Sequence, residues 1–145
     1  MTEERYNYGT STRWIEGKKM KLMVEGQPEL EVCPPPEFGG PGGFLTPPDL
    51  FVASASTCYT TTFFTMSAKA RLNYVDFKCR AEGTLEKFEG KGFKFTKIDL
   101  YPELTIPDEE ERERAKGVLE ASKKYCLVTN SMACEITLNP TIKVK

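Results

Sequence analysis

A chain of 145 residues with a formal net charge of −1 is long enough for one domain with a modest core, and it carries no strong field to attract nucleic acid or an anionic membrane. It has no histidine, which excludes Ser-His-Asp and Cys-His nucleophile activation, histidine general bases and His-ligated zinc. Its five cysteines are odd in number and lack CxxC spacing, and its N-terminus, MTEERYNYGT, is charged and polar, so a reducing cytoplasm is expected rather than export.

The first third reads as short strands. Residues 19–24 (KMKLMV) and 29–33 (ELEVC) have β-type composition on either side of the turn signal Glu25-Gly26-Gln27-Pro28. The stretch CPPPEFGGPGGF is then too rich in proline and glycine for regular structure and long enough to be a functional loop. "TPPD" is a helix start: Thr46 can cap, Pro47 suits the first helical position, and Asp49 completes capping-box spacing. The helix is predicted over residues 47–70. It holds nineteen uncharged residues, 50–68, of which eight are Ser or Thr, a content that argues against a lipid-facing span. Such hydroxyls can bond to the carbonyls of the preceding turn inside a protein. A helix without charge on any side must be covered on every side, so a second helix or a partner subunit is required, and a homodimer packed around this helix is expected.

Val75, Phe77, Cys79 and Ala81 alternate with charged residues as in a half-buried strand. Glu89-Gly90-Lys91-Gly92 is a hairpin turn, and residues 93–104 continue as a second strand with an irregularity expected at Pro102. A second helix is predicted from Asp108, with Glu111 at capping-box spacing and Lys123-Lys124 in its last turn. Its apolar stripe takes in Ala115, Val118, Leu119, Ser122, Tyr125 and Cys126. Residues 134–144 close the chain as one strand. The class is α+β, in a single domain over residues 1–145.

Cys33, Cys79 and Cys134 read as packing, since cysteine is among the most buried residue types. Taken alone, Cys58 and Cys126 read the same way. They lie, however, on two helices that must pack into one small core, and each is embedded in a longer motif. "PPDLFVASASTC" resembles the Pro-acid-Leu-(apolar/small)-Cys segment of the OsmC/Ohr family. "ASKKYCLVTNSM" resembles that family's second signature, a helix ending in Cys followed by apolar residues, Ser or Thr, and Asn. Both occur in order, sixty-eight residues apart, and the resemblance covers nearly the whole chain.

The resemblance implies an OsmC-like fold, with antiparallel sheets enclosing two central helices in an intertwined homodimer. It also implies thiol-dependent reduction of organic hydroperoxides without metal or organic cofactor. In that chemistry Cys58 is the peroxidatic thiol, Cys126 the resolving thiol, and an external dithiol reduces their disulfide. A thiol so far from its helix N-terminus gains nothing from the dipole, so a cation must stand beside Cys58. The best-studied branch of the family uses an arginine in an early turn, paired with a glutamate ten residues before the cysteine. Here that position is Pro48, and Asp49 lies nine before, roughly 13 Å along the helix axis from its own Cys58, so it could serve only a partner subunit. Arg13 of "TRWIEGKK" is the candidate cation, the alternative being a solvated strand residue. Two rival functions stand beside the enzyme. One is a non-catalytic dimer of the same fold binding a small apolar ligand. The other is RNA binding through "KGFKFTKI", disfavoured because Lys94 and Ile98 depart from the aromatic strand signature. Neither nucleic acid nor membrane is expected as a partner.

Overall fold

The computed structural model describes residues 3–145, so the first two residues of the polar N-terminal stretch lie outside it. The chain divides into two compact units, one up to Phe51 and one from Val52 onward. Helix α1 (Pro47–Ala70) runs through the boundary.

In the first unit β1 (Ser11–Glu16), β2 (Lys19–Met23) and β3 (Leu30–Val32) form an antiparallel sheet in that order. Gly17 makes the first turn at φ 51°, a conformation that favours glycine, and its carbonyl accepts a hydrogen bond from Trp14 Nε1 at 2.9 Å. The Pro/Gly stretch is a loop with one 3-10 turn at Pro36–Phe38. It closes back on the sheet edge, where the Cys33 N–H donates to the Leu45 carbonyl at 3.0 Å.

Helix α1 occupies the predicted span residue for residue. The Thr46 hydroxyl donates to Asp49 Oδ2 at 2.8 Å and accepts from the Asp49 N–H at 3.2 Å, while the Thr46 N–H also donates to Asp49 Oδ2 at 3.0 Å. That reciprocal cap sets the first turn. The hydroxyls farther along are satisfied within the helix: Thr57 donates to the Ala53 carbonyl, Thr60 to Ser56 and Thr62 to Cys58, each at 2.8 Å. Within the described residues, no helix is long and apolar enough to cross a membrane.

In the second unit β4 (Asp76–Phe88) pairs antiparallel with β5 (Gly92–Ile106). β5 also pairs with β6 (Glu135–Leu138) and, further along, with β7 (Thr141–Val144), both in parallel. The antiparallel expectation thus holds for the β1–β2–β3 sheet and the β4–β5 hairpin and not for these last two ladders. Helix α2 (Arg112–Lys124) lies between β5 and β6, and a crossover of that kind returns the chain in the parallel sense. The single closing strand expected over 134–144 is two, broken at Asn139-Pro140 because proline has no N–H to give a ladder. The irregularity expected at Pro102 is instead a bulge at Thr84/Leu85. Pro102 stays in register opposite Cys79, at the gap between the β6 and β7 ladders, where its missing N–H costs nothing.

Phe63, Leu72, Leu104, Ile106, Ala115, Val118 and Leu119 form the core of this unit. The Phe63 ring stacks on Phe77 with centroids 3.8 Å apart. Burying such a ring completely stabilises the fold by roughly 1.5–3 kcal/mol. Further along β4, a Cβ on Gly83 would lie 2.7 Å from Val52 Cγ2, so glycine is what lets the helix come this close to the sheet. The pairs Phe63/Phe77 and Val52/Gly83 show that α1 crosses β4 in the opposite chain direction, and they bracket Tyr59 and Cys79.

The second helix starts later than the sequence suggests. Asp108 caps only a 3-10 turn, Glu109–Glu111, by accepting from the Glu110 N–H at 3.0 Å. Glu111 is buried and accepts from the Asn73 N–H at 3.1 Å, so it ties the end of α1 to α2 instead of completing a capping box. The buried stripe of α2 is Ala115, Val118, Leu119 and Ser122. Tyr125, expected on it, is 56% exposed, because the helix ends at Lys124 and the helical period stops with it.

Candidate functional site

Cys58 lies in the middle of α1, half-buried, one residue before the fully buried Tyr59. Cys126 is fully buried and lies just beyond α2, in extended backbone (φ −72°, ψ 105°), as the residue that starts the short helix α3 (Leu127–Asn130). The sequence places it on the last turn of α2; the chain in fact leaves that helix first, which turns the side chain inward independently of the α2 stripe. The Cys58 thiol is near enough to Cys126 to act on its proton affinity. No disulfide joins them in this structure.

Their surroundings differ. Burial pushes the Cys126 thiol above the ordinary range; the Thr129 hydroxyl and N–H work against that, and the Cys58 thiol adds to it. Cys126 is therefore held protonated at neutral pH. Cys79 projects from β4 toward the same region, and burial raises it to about 11, with the Tyr101 N–H opposing and Cys126 contributing. Tyr59 is pushed far above the usual phenol range, by burial first and then by Cys79, Glu120 and Cys126. Its hydroxyl donates to the Leu119 carbonyl of α2 at 2.9 Å. Tyr59 and Thr129 were not singled out from the sequence. The available signal was a phenol in a charge-free helix, since a buried tyrosine hydroxyl needs a partner.

Arg13 and Asp49 belong to the first unit. Arg13 is exposed in mid-β1, in register with Lys21 of β2, and makes no ion pair among the described residues. Asp49 Oδ2 is committed to the Thr46 cap, and its Oδ1 has no hydrogen bond among the described residues. Among the described residues, no group of three or more His, Cys, Asp or Glu is placed to hold a metal ion.

The sequence and fold match known proteins over most of the chain. Residues 40–141 match the family model described as OsmC-like protein. An uncharacterized protein of Methanocaldococcus jannaschii is 33% identical over 106 residues, covering 70% of this chain and 53% of its own, so the chain spans about half the length of that relative. The peroxiredoxin OsmC of Escherichia coli is 27% identical over 106 residues, covering 73% of this chain and 72% of its own. An organic hydroperoxide resistance protein from Elizabethkingia anophelis superposes with a TM-score of 0.78 at 20% identity, covering 99% of this chain and all of that one. With that family model matching more than half of the chain, and the same fold found in a solved structure, the chain belongs to the OsmC-like protein family.

Proposed function

We propose that this protein is a thiol peroxidase that reduces organic hydroperoxides. What supports the reading is a pair of thiols near enough for Cys58 to act on the protonation of Cys126, and unequally placed, Cys58 half-buried and Cys126 fully buried. Cys58, as thiolate, attacks the terminal peroxide oxygen; the O–O bond breaks, an alcohol leaves, and Cys58 becomes a sulfenic acid. Cys126 then attacks that sulfur, forming the disulfide and releasing water, and an external dithiol restores both thiols. Arg13 is the cation this reading assigns to the Cys58 thiolate, and Asp49 is the acid that a partner subunit supplies. The relatives named as a peroxiredoxin and as an organic hydroperoxide resistance protein support the same chemistry.

The working unit in this reading is a homodimer. One stripe of α1 is buried within the chain, Ala55, Tyr59, Phe63 and Ser67, while Thr57, Thr61, Phe64 and Thr65 stay exposed, Phe64 at 51%. An uncharged helix face with an open phenylalanine needs a cover, and a second copy provides one. Light scattering is expected to give twice the chain mass, and Phe64→Lys to give the single-chain mass; a parent at the single-chain mass refutes the dimer.

The decisive assay follows cumene hydroperoxide with dithiothreitol as reductant, together with intact mass after one equivalent of peroxide. Peroxide consumption and a loss of two hydrogens, mapped to a Cys58–Cys126 bridge, are expected. Persistence of the peroxide, with Cys58→Ser indistinguishable from the parent, refutes the enzyme and leaves the non-catalytic dimer with an apolar ligand.

A further inference from the structure

We propose that Tyr59 is a positioning residue that holds the Cys58 segment of α1 against the end of α2, and so keeps the two thiols close enough to join. Its consequence for turnover rests on the peroxidase reading; its consequence for thiol pairing does not.

Tyr59 follows Cys58 directly and is completely buried. Its ring is stacked against Phe77 at 6.4 Å between centroids, which fixes the ring on the β4 side of the helix. Its hydroxyl reaches across to the Leu119 carbonyl at 2.9 Å. Leu119 lies on the buried stripe of α2, the helix that ends at Lys124 and hands the chain to Cys126. The two thiol-bearing segments are therefore joined by one directional bond near the thiols. The other core contacts, Phe63, Val118 and Leu119, are apolar and non-directional. Apolar packing holds helices together and tolerates sliding; a hydrogen bond to a single carbonyl oxygen sets a register.

Two features suit the phenol to this task. Burial keeps it protonated, so it remains a donor at any pH at which the protein works. Leu119 lies inside α2, where its carbonyl also has a helical partner four residues on, so removing the phenol oxygen leaves no orphaned acceptor. Tyr59→Phe should then keep the fold and the ring stacking while losing only the register.

The step that depends on register is closure. In closure Cys126, having lost its proton to solvent, attacks the Cys58 sulfenic sulfur as thiolate, the S–S bond forms, the S–O bond breaks, and the departing hydroxide takes a proton from solvent to leave as water. Attack of Cys58 on a peroxide involves neither Cys126 nor the α2 end. Tyr59→Phe is thus expected to form the sulfenic acid within about twofold of the parent rate while closing the disulfide on the order of tenfold more slowly. Dimedone-labelled Cys58 should accumulate in the variant and not in the parent, at an unchanged melting temperature. A purely structural loss would slow both steps together.

Diamide separates this proposal from the peroxidase reading, because it couples two nearby thiols without any peroxide, being itself reduced to the hydrazine as the disulfide forms. Slower diamide closure of Cys58–Cys126 in Tyr59→Phe supports the proposal even if the parent consumes no peroxide. Closure by diamide at the parent rate overturns it, whatever the peroxide assay shows. Tyr59→Leu, which removes ring and hydroxyl together, is the second variant. If it closes as slowly as Tyr59→Phe, the hydroxyl is the positioning group; if Tyr59→Phe alone closes at the parent rate, the ring is, and the proposal fails.

Discussion

Cys58 and Cys126 carry the same functional group in unlike settings. Cys58 sits within a long helix whose hydroxyls serve their own carbonyls, half-buried, and packing accounts for most of what surrounds it. Cys126 sits in extended backbone between two helices, fully buried, where burial favours the neutral thiol. A reagent reaches the first more readily than the second, and the second has the first as its neighbour. In the proposed mechanism the division of labour between nucleophile and resolver would follow from position and burial and not from residue type.

The largest effects should come from separating the two. Cys58→Ser removes the proposed nucleophile, and peroxide consumption should fall by roughly a thousandfold or more. Cys126→Ser should leave the first turnover intact and trap the sulfenic acid, detectable as a gain of one oxygen. Its steady-state rate with a dithiol should drop by about ten- to a hundredfold, since reduction must then proceed directly on Cys58. If Cys126→Ser blocks the first turnover as fully as Cys58→Ser does, the assigned roles are wrong.

A smaller effect should come from pH. A thiol held above its ordinary range loses its proton only as pH rises, so the attacking form of Cys126 increases about tenfold per unit while the pH stays below that value. Stopped-flow closure of the sulfenic acid should therefore accelerate from pH 6 to pH 8. A flat or falling profile would mean that Cys126 does not attack as the thiolate.

The settings of the two cysteines were unevenly legible in the sequence. α1 could be read to the residue because its start is local chemistry: Thr46, Pro47 and Asp49 satisfy one another within a single turn. The hydroxyl-rich run announced a helix whose side chains bond to its own carbonyls, for an equally local reason. The end of α2 could not be read this way. Tyr125 continues the apolar period, yet the helix stops at Lys124, and only the packing of the following turn places Tyr125 outside and Cys126 inside. Glu111 was misread because its partner, the Asn73 N–H, lies 38 positions away in the chain. The parallel pairing of β6 and β7 also depends on a crossover, which no local pattern encodes. Motif resemblance singled out Cys58 and Cys126, whereas the Tyr59 bond that links their segments left no such local mark.

Cys79 sharpens the comparison most finely, with the smallest expected effect. It shares the region of the other two thiols, but burial raises it to about 11, so at neutral pH only on the order of one molecule in ten thousand carries it as thiolate. It should not compete with Cys126 for the Cys58 sulfenic acid, and Cys79→Ser should leave the bridge and the turnover within about twofold of the parent. Its influence should appear in alkaline stability. A folded-state value raised above that of the unfolded thiol contributes stability that is present below about pH 8.5 and is lost as pH rises through about 11. Over that window the parent should lose up to ~1.4 kcal/mol per pH unit from this group alone, a slope absent from Cys79→Ser. Urea titrations at pH 8, 9 and 10 measure the difference. Parallel stability curves, or a Cys79-containing disulfide after peroxide, would show that this thiol is neither as buried nor as inert as its place on β4 requires.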